Sequence, residues 1–124
     1  MVSELYSVVY DILLNFKHLV EQVGHVPNGN RIYYTTRSQP PFFTQMVHDF
    51  YIACKNYPEA LQEIGKNSCS EILEIFVPVL RKEIEWWDEN RSIELKNDVT
   101  MYRYASPVTV NRPEAYMADE RVLR

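Results

Sequence analysis

Apolar residues recur at Leu5, Val8, Val9, Ile12, Leu13, Phe16, Leu19, Val20 and Val23, the three-and-four spacing that lines one face of a helix. The spacing predicts a helix over residues 3–23, stopped by Gly24. Glu4, Asp11, Lys17, His18 and Glu21 interrupt the apolar run, which excludes both a signal-peptide core and a membrane span. A second helix is expected to begin near Pro40-Pro41 and run through Met46, Val47, Phe50 and Tyr51 toward Tyr57. Pro58 then ends it and starts a short third helix that closes at Gly65. Ser68-Cys69-Ser70-Glu71 has the serine and glutamate of a capping box. It opens a helical stretch with apolar positions at Ile72, Ile75, Phe76, Leu80, Ile84 and Trp87, in which Pro78 either kinks one helix or begins another. Beyond Asn90 the periodicity fades into a segment with Pro107 and Pro113, read as a long excursion and not as a helix. No βαβ alternation appears, so the chain is expected to be all-α, its helices joined by two long irregular segments.

Composition adds limits. At 124 residues the chain has the size of one domain, and 46% apolar residues suffice for a real core. Thirteen basic against seventeen acidic residues give a net charge of -4 with no long run of one sign, so nothing recruits nucleic acid or an anionic membrane. Cys54 and Cys69 lie outside any CxxC or Cys/His ligand spacing, which argues against zinc. Two readings of the pair stay open: buried free thiols, the common habit of cysteine, or a single disulfide. His18, His25 and His48 place no pair on one helix turn, and no metal or other cofactor is implied.

The stretch from Gly24 to Gln39 is far longer than a helical connection requires, and long ordered loops are usually functional. It interleaves Asn28, Asn30, Arg31, Arg37 and Gln39 with Tyr33 and Tyr34, and Phe42 and Phe43 follow. Amides and guanidinium forks beside aromatic faces suit a sugar, whose adjacent hydroxyls pair bidentately while its C–H faces prefer an aromatic wall. The Asn28-Gly29 pair allows a tight reversal that would aim those groups inward. The plain alternative is a packed connector with ordinary turn residues.

The run from Val26 to Pro41, VPNGNRIYYTTRSQPP, resembles a signature of the trehalase family, which reads VPNG, one residue, R, then YY, and after two residues RSQPP. The likeness continues through Leu80 to Arg91, with Glu83, Trp87, Asn90 and Arg91, which resembles the family's helix ending in a tryptophan and an Asn-Arg pair. Tyr102-Arg103-Tyr104 and then Arg112-Pro113-Glu114-Ala115-Tyr116 are similar to its NRY and PRPESY. Nearly the whole chain is covered. The resemblance implies an arc of an (α/α)6 toroid and hydrolysis of α,α-trehalose to two glucose molecules with inversion. Carried over by position, it implies substrate-binding roles for Asn28, Arg37 and Gln39 in the first loop and for Arg112 and Glu114 in the second. Arg31 and Tyr33 match the motif as braces of the loop. Ala115 departs from the family's serine, and Val110-Asn111 from a glycine and proline.

Inverting glycosidases need a carboxylic acid and a carboxylate base roughly 6.5–9.5 Å apart. The family's SGWD-like motif, which carries the acid, and its PGGRF and WDxYW signatures do not occur here, nor does the motif of the base. The matched motif makes Glu114 a binder, and Asp119 and Glu120 are expected on a solvated surface. The chain therefore reads as a single partial glycoside hydrolase domain over residues 1–124, with no catalytic residue of its own. A non-catalytic sugar-binding module is the alternative, and a helical interaction scaffold a third reading. Apolar faces on the Val8 and Leu80 stripes are expected to make the isolated chain self-associate.

Overall fold

The computed structural model describes residues 5–96, 98–106 and 112–122. Ser3, the expected start of the first helix, and Val110-Asn111 lie outside those residues.

The expected helices form. α1 (Tyr6–Val23) ends as Gly24 turns left-handed, with φ 87° and its N–H donated to the Val20 carbonyl. A Cβ at Gly24 would lie 2.5 Å from the Trp86 ring, so this glycine is required both by its backbone angle and by the ring beside it. α2 (Phe43–Asn56) begins later than Pro40-Pro41 suggested. Each proline disfavours the helical region in the residue before it, and both prolines instead lie on the approach to the helix. α3 (Pro58–Glu63) starts on its proline, and Gly65 closes it at φ 64°. α4 (Ser70–Arg91) runs without a break through Pro78, so the one-helix reading holds. Ahead of it, Glu71 accepts the Asn67 and Ser68 N–H groups at 2.9 and 3.1 Å. The Ser68 hydroxyl accepts from the Ser70 N–H at 3.2 Å, one residue short of the expected box.

The helices meet around aromatic rings. Tyr10 stacks on Phe50 at 5.8 Å and meets Phe76 edge-on at 6.1 Å, and Phe76 also meets Phe43 edge-on at 6.1 Å. Leu13, Val20, Val47, Ala60 and Ile72 complete this buried centre. The cysteines are not free thiols. Cys54, near the end of α2, is bonded to Cys69, just before α4, with Cα atoms 6.0 Å apart. The bridge encloses α3 and pins the joint on which α4 turns back over the core.

Beyond Arg91 the structure corrects the reading of a structureless excursion. Strands β1 (Ser92–Leu95) and β2 (Val99–Tyr102) pair antiparallel, with Ser92 opposite Tyr102. A 3-10 turn at Pro113–Ala115 then leads into the short helix α5 (Tyr116–Val122). Among the described residues the fold remains predominantly helical, with one small hairpin. No helix among the described residues is long and apolar enough to cross a membrane.

Candidate sugar-binding site

The first loop is closed at its base by backbone pairing. The Asn28 N–H donates to the Arg37 carbonyl at 2.7 Å, and the Gln39 N–H to the Val26 carbonyl at 2.8 Å, with Pro27 and Ser38 bridged between them. The chain reverses at a 3-10 turn over Ile32–Tyr34 and not at Asn28-Gly29. Gly29 serves another end: a Cβ there would lie 2.7 Å from the Tyr34 ring, so the glycine lets that ring fold back against the loop.

Trp86 is the anvil on which this loop is docked. Gly24 approaches its ring, and the buried His25 imidazole stacks on it at 3.9 Å. The Arg91 guanidinium lies 4.6 Å from the same ring and 5.7 Å from Tyr104. Arg91 is only 4% exposed, and it donates to the Thr36 carbonyl at 3.2 Å and the Asn90 carbonyl at 3.3 Å. Such a cation is held by aromatic faces and carbonyl dipoles. Burial pushes the His25 pKa down, and the neighbouring Arg91 charge adds to this. Glu83, 2% exposed, accepts the Val26 N–H, and burial drives its pKa up. α4 thus holds the loop at both ends, through Glu83 and through Arg91.

The five residues singled out in the sequence fall into three arrangements. The Arg37 guanidinium pairs with the Glu114 carboxylate, joining the two loops. The Gln39 amide donates to Asn28 Oδ1 at 2.9 Å. Arg112 turns to Asp119 instead, its Nε 3.0 and 3.1 Å from the two carboxylate oxygens, while its N–H donates to the same carboxylate at 2.8 Å. Asp119 is therefore not the solvated surface acid expected. Hydrogen bonds from Arg112 hold its pKa down to about 2, and the Arg37 charge acts in the same direction. Glu114 is also held low, first by its own backbone N–H and then by Arg37 and Arg112. Two arginines and two carboxylates so form one alternating cluster.

An open hollow of about 490 Å³ is lined by Asn28, Ser38, Pro40, Pro41, Trp87 and Tyr104. A second, of about 440 Å³, shares Pro41 and Trp87 and reaches Glu83, Thr44, Ile84 and Tyr102. Of the five residues, Asn28 lines the first hollow. Gln39 also borders a smaller apolar pocket of about 200 Å³ with Phe16, Phe42, Phe43 and Met46. Aromatic walls with an amide, Asn28, in the first hollow and a carboxyl, Glu83, in the second fit a small polar ligand with apolar faces. No group of His, Cys, Asp and Glu among the described residues is placed to hold a metal ion.

The sequence model described as Trehalase matches residues 1–124. The chain belongs to the trehalase family. The trehalase of Apis mellifera is 37% identical over 122 residues, which make up 96% of this chain and 17% of that protein. Those of Dictyostelium discoideum and Homo sapiens are 35% and 36% identical, again over 96% of this chain and 19% of their own length. The chain thus spans less than a fifth of these curated relatives.

Within this trehalase segment, sequence reasoning missed the roles of Asp119, Arg91 and the hairpin that carries Tyr102. The hairpin had a legible signal. Ile93 and Leu95 alternate with Ser92 and Glu94, and Val99 and Met101 alternate with Thr100 and Tyr102, around Lys96-Asn97-Asp98. Asp119 had none, because its partner is chosen by the turn at Pro113–Ala115 that folds α5 back on Arg112.

Proposed function

We propose that this chain is part of the substrate-binding wall of an α,α-trehalase, a single partial catalytic domain forming an arc of an (α/α)6 toroid. In this reading Asn28, Arg37, Gln39, Arg112 and Glu114 contact the hydroxyls of trehalose, and Trp87 and Tyr104 present faces to its C–H surfaces. The observation that carries the proposal is the Arg37–Glu114 ion pair, which draws the two matched motifs together, while Asn28 and Ser38 of the first motif line an aromatic hollow. Paired in the free site, the guanidinium and carboxylate are pre-oriented, so each meets a hydroxyl with little ordering cost.

The acid that protonates the leaving oxygen and the base that activates water are supplied from outside residues 1–124, and the isolated chain does not hydrolyse trehalose. The intact parent, given α,α-trehalose, should release glucose. Magnetic resonance should show one of the two product molecules first as the β-anomer, because displacement by water inverts one anomeric carbon. Heat of trehalose binding with no glucose release from the intact parent would instead identify a non-catalytic sugar-binding protein.

The isolated chain also exposes Leu5 just before α1, Val8 and Ile12 on α1 and Val77 and Ile84 on α4, while Leu80 itself is buried. We propose that these faces drive self-association of the segment on its own. A compact monomer in size-exclusion chromatography would overturn that.

A further inference from the structure

The sequence Asn90-Arg91-Ser92 places a hydroxyl two residues after an asparagine with no proline between, the acceptor pattern for N-linked glycan transfer in secreted proteins. Asn90 alone among the eight asparagines of the chain is followed in this way by serine or threonine. So short a pattern also arises by chance, and the weight rests on two structural observations.

Asn90 is exposed in the last turn of α4, at the root of the hairpin. Its Nδ2 donates to the Trp86 carbonyl at 2.9 Å. A glycosylated asparagine keeps one amide hydrogen, so that bond is compatible with a sugar on the same nitrogen. Independently, both cysteines of the chain are joined in one bridge. Structural disulfides form and persist in oxidising compartments and are rare where thiols are kept reduced. The bridge therefore points to an oxidising compartment, the class to which the lumen of N-linked transfer belongs, without reference to Asn90.

We propose that Asn90 carries an N-linked oligosaccharide. The donor is an oligosaccharide on a polyprenyl diphosphate. Asn90 Nδ2 forms a bond to the sugar C1 as the bond from C1 to the diphosphate oxygen breaks; the diphosphate leaves with the electron pair, and the amide proton passes to a base of the transferase. Transfer precedes folding, when Ser92 is extended and its hydroxyl is free of the Asp88 carbonyl that it meets in the folded chain.

The test is a peptide map by mass spectrometry of the native protein, purified from its source without reductant and treated with peptide-N-glycosidase in heavy-oxygen water. The peptide holding Asn90 should appear as heavy-oxygen-labelled aspartate only after the enzyme. Ser92→Ala in the same host should lose the glycan mass and Ser92→Thr should keep it. An unmodified Asn90 throughout, or free thiols at Cys54 and Cys69 in the native protein, would overturn the proposal. If Ser92→Ala does not accumulate, the wild-type digest decides alone.

Discussion

Arg37 and Glu114 stand 77 residues apart in the chain and form an ion pair that joins the two irregular segments. The Arg37 side chain is 12% exposed and that of Glu114 28%, so water reaches the pair while the surrounding loop limits its freedom. A fork held in this way can grip two vicinal oxygens at once.

In the intact parent, Arg37→Ala should lower kcat/KM for trehalose by about ten- to hundred-fold, the rate equivalent of a hydrogen bond to a charged group. Glu114→Gln should act in the same direction and, combined with Arg37→Ala, cost less than the product of the two. Steady-state kinetics on the double-mutant cycle checks this, and fully independent effects would mean that the two do not work as a unit.

The Arg112–Asp119 tie should respond to acid. Asp119 has its folded pKa lowered to about 2, against about 3.9 for an unperturbed aspartate. Its contribution is therefore fully present above about pH 4 and lost as pH falls toward 2. Acid unfolding of the intact parent should begin at higher pH in Asp119→Asn than in the wild type. Superimposable acid transitions would show that the tie adds nothing to the fold.

Glu83 separates the value of a hydrogen bond from that of a charge. Glu83→Gln keeps an acceptor for the Val26 N–H and removes a carboxylate whose charged form is disfavoured by burial. Because the folded pKa is raised, the native state binds the proton more readily, and the wild type should lose stability relative to Glu83→Gln as pH rises through the carboxylate range. Glu83→Ala leaves the Val26 N–H without that acceptor and should cost about 1–3 kcal/mol. Denaturant melts at two pH values distinguish the variants, and equal behaviour of Gln and Ala would sink the tether.

The Cys54–Cys69 bridge joins residues 15 apart in sequence, a loop for which chain-entropy reasoning gives about 3 kcal/mol. Replacing both cysteines by serine should lower the stability of the intact parent by that order and loosen α3 first, since α3 lies inside the bridged loop. Hydrogen exchange at the α3 amides reads the local effect; protection equal to wild type would contradict it.

The helices were legible where local rules govern them. The stripe in α1, the stop at Gly24, Pro58 at the first turn of α3 and Glu71 ahead of α4 depend on neighbours within a few residues, and each is visible in the string of letters. The start of α2 was misplaced because two prolines in succession fit the approach to a helix better than its interior. The hairpin after Ser92 was overlooked because alternation over four residues is a weaker signal than a helical stripe.

By itself the sequence determined the helical elements, the family and the five candidate sugar contacts, since these follow from short-range periodicity and from ordered motifs. Which of those contacts pair was a matter for the tertiary structure. Arg37 reaches Glu114, Arg112 is turned to Asp119, and Cys54 finds Cys69. The reason is physical: a guanidinium accepts many partners, and only the packing of the loop on Trp86 and the turn into α5 decide which one lies within reach, while the course of the chain around α3 brings the two cysteines together.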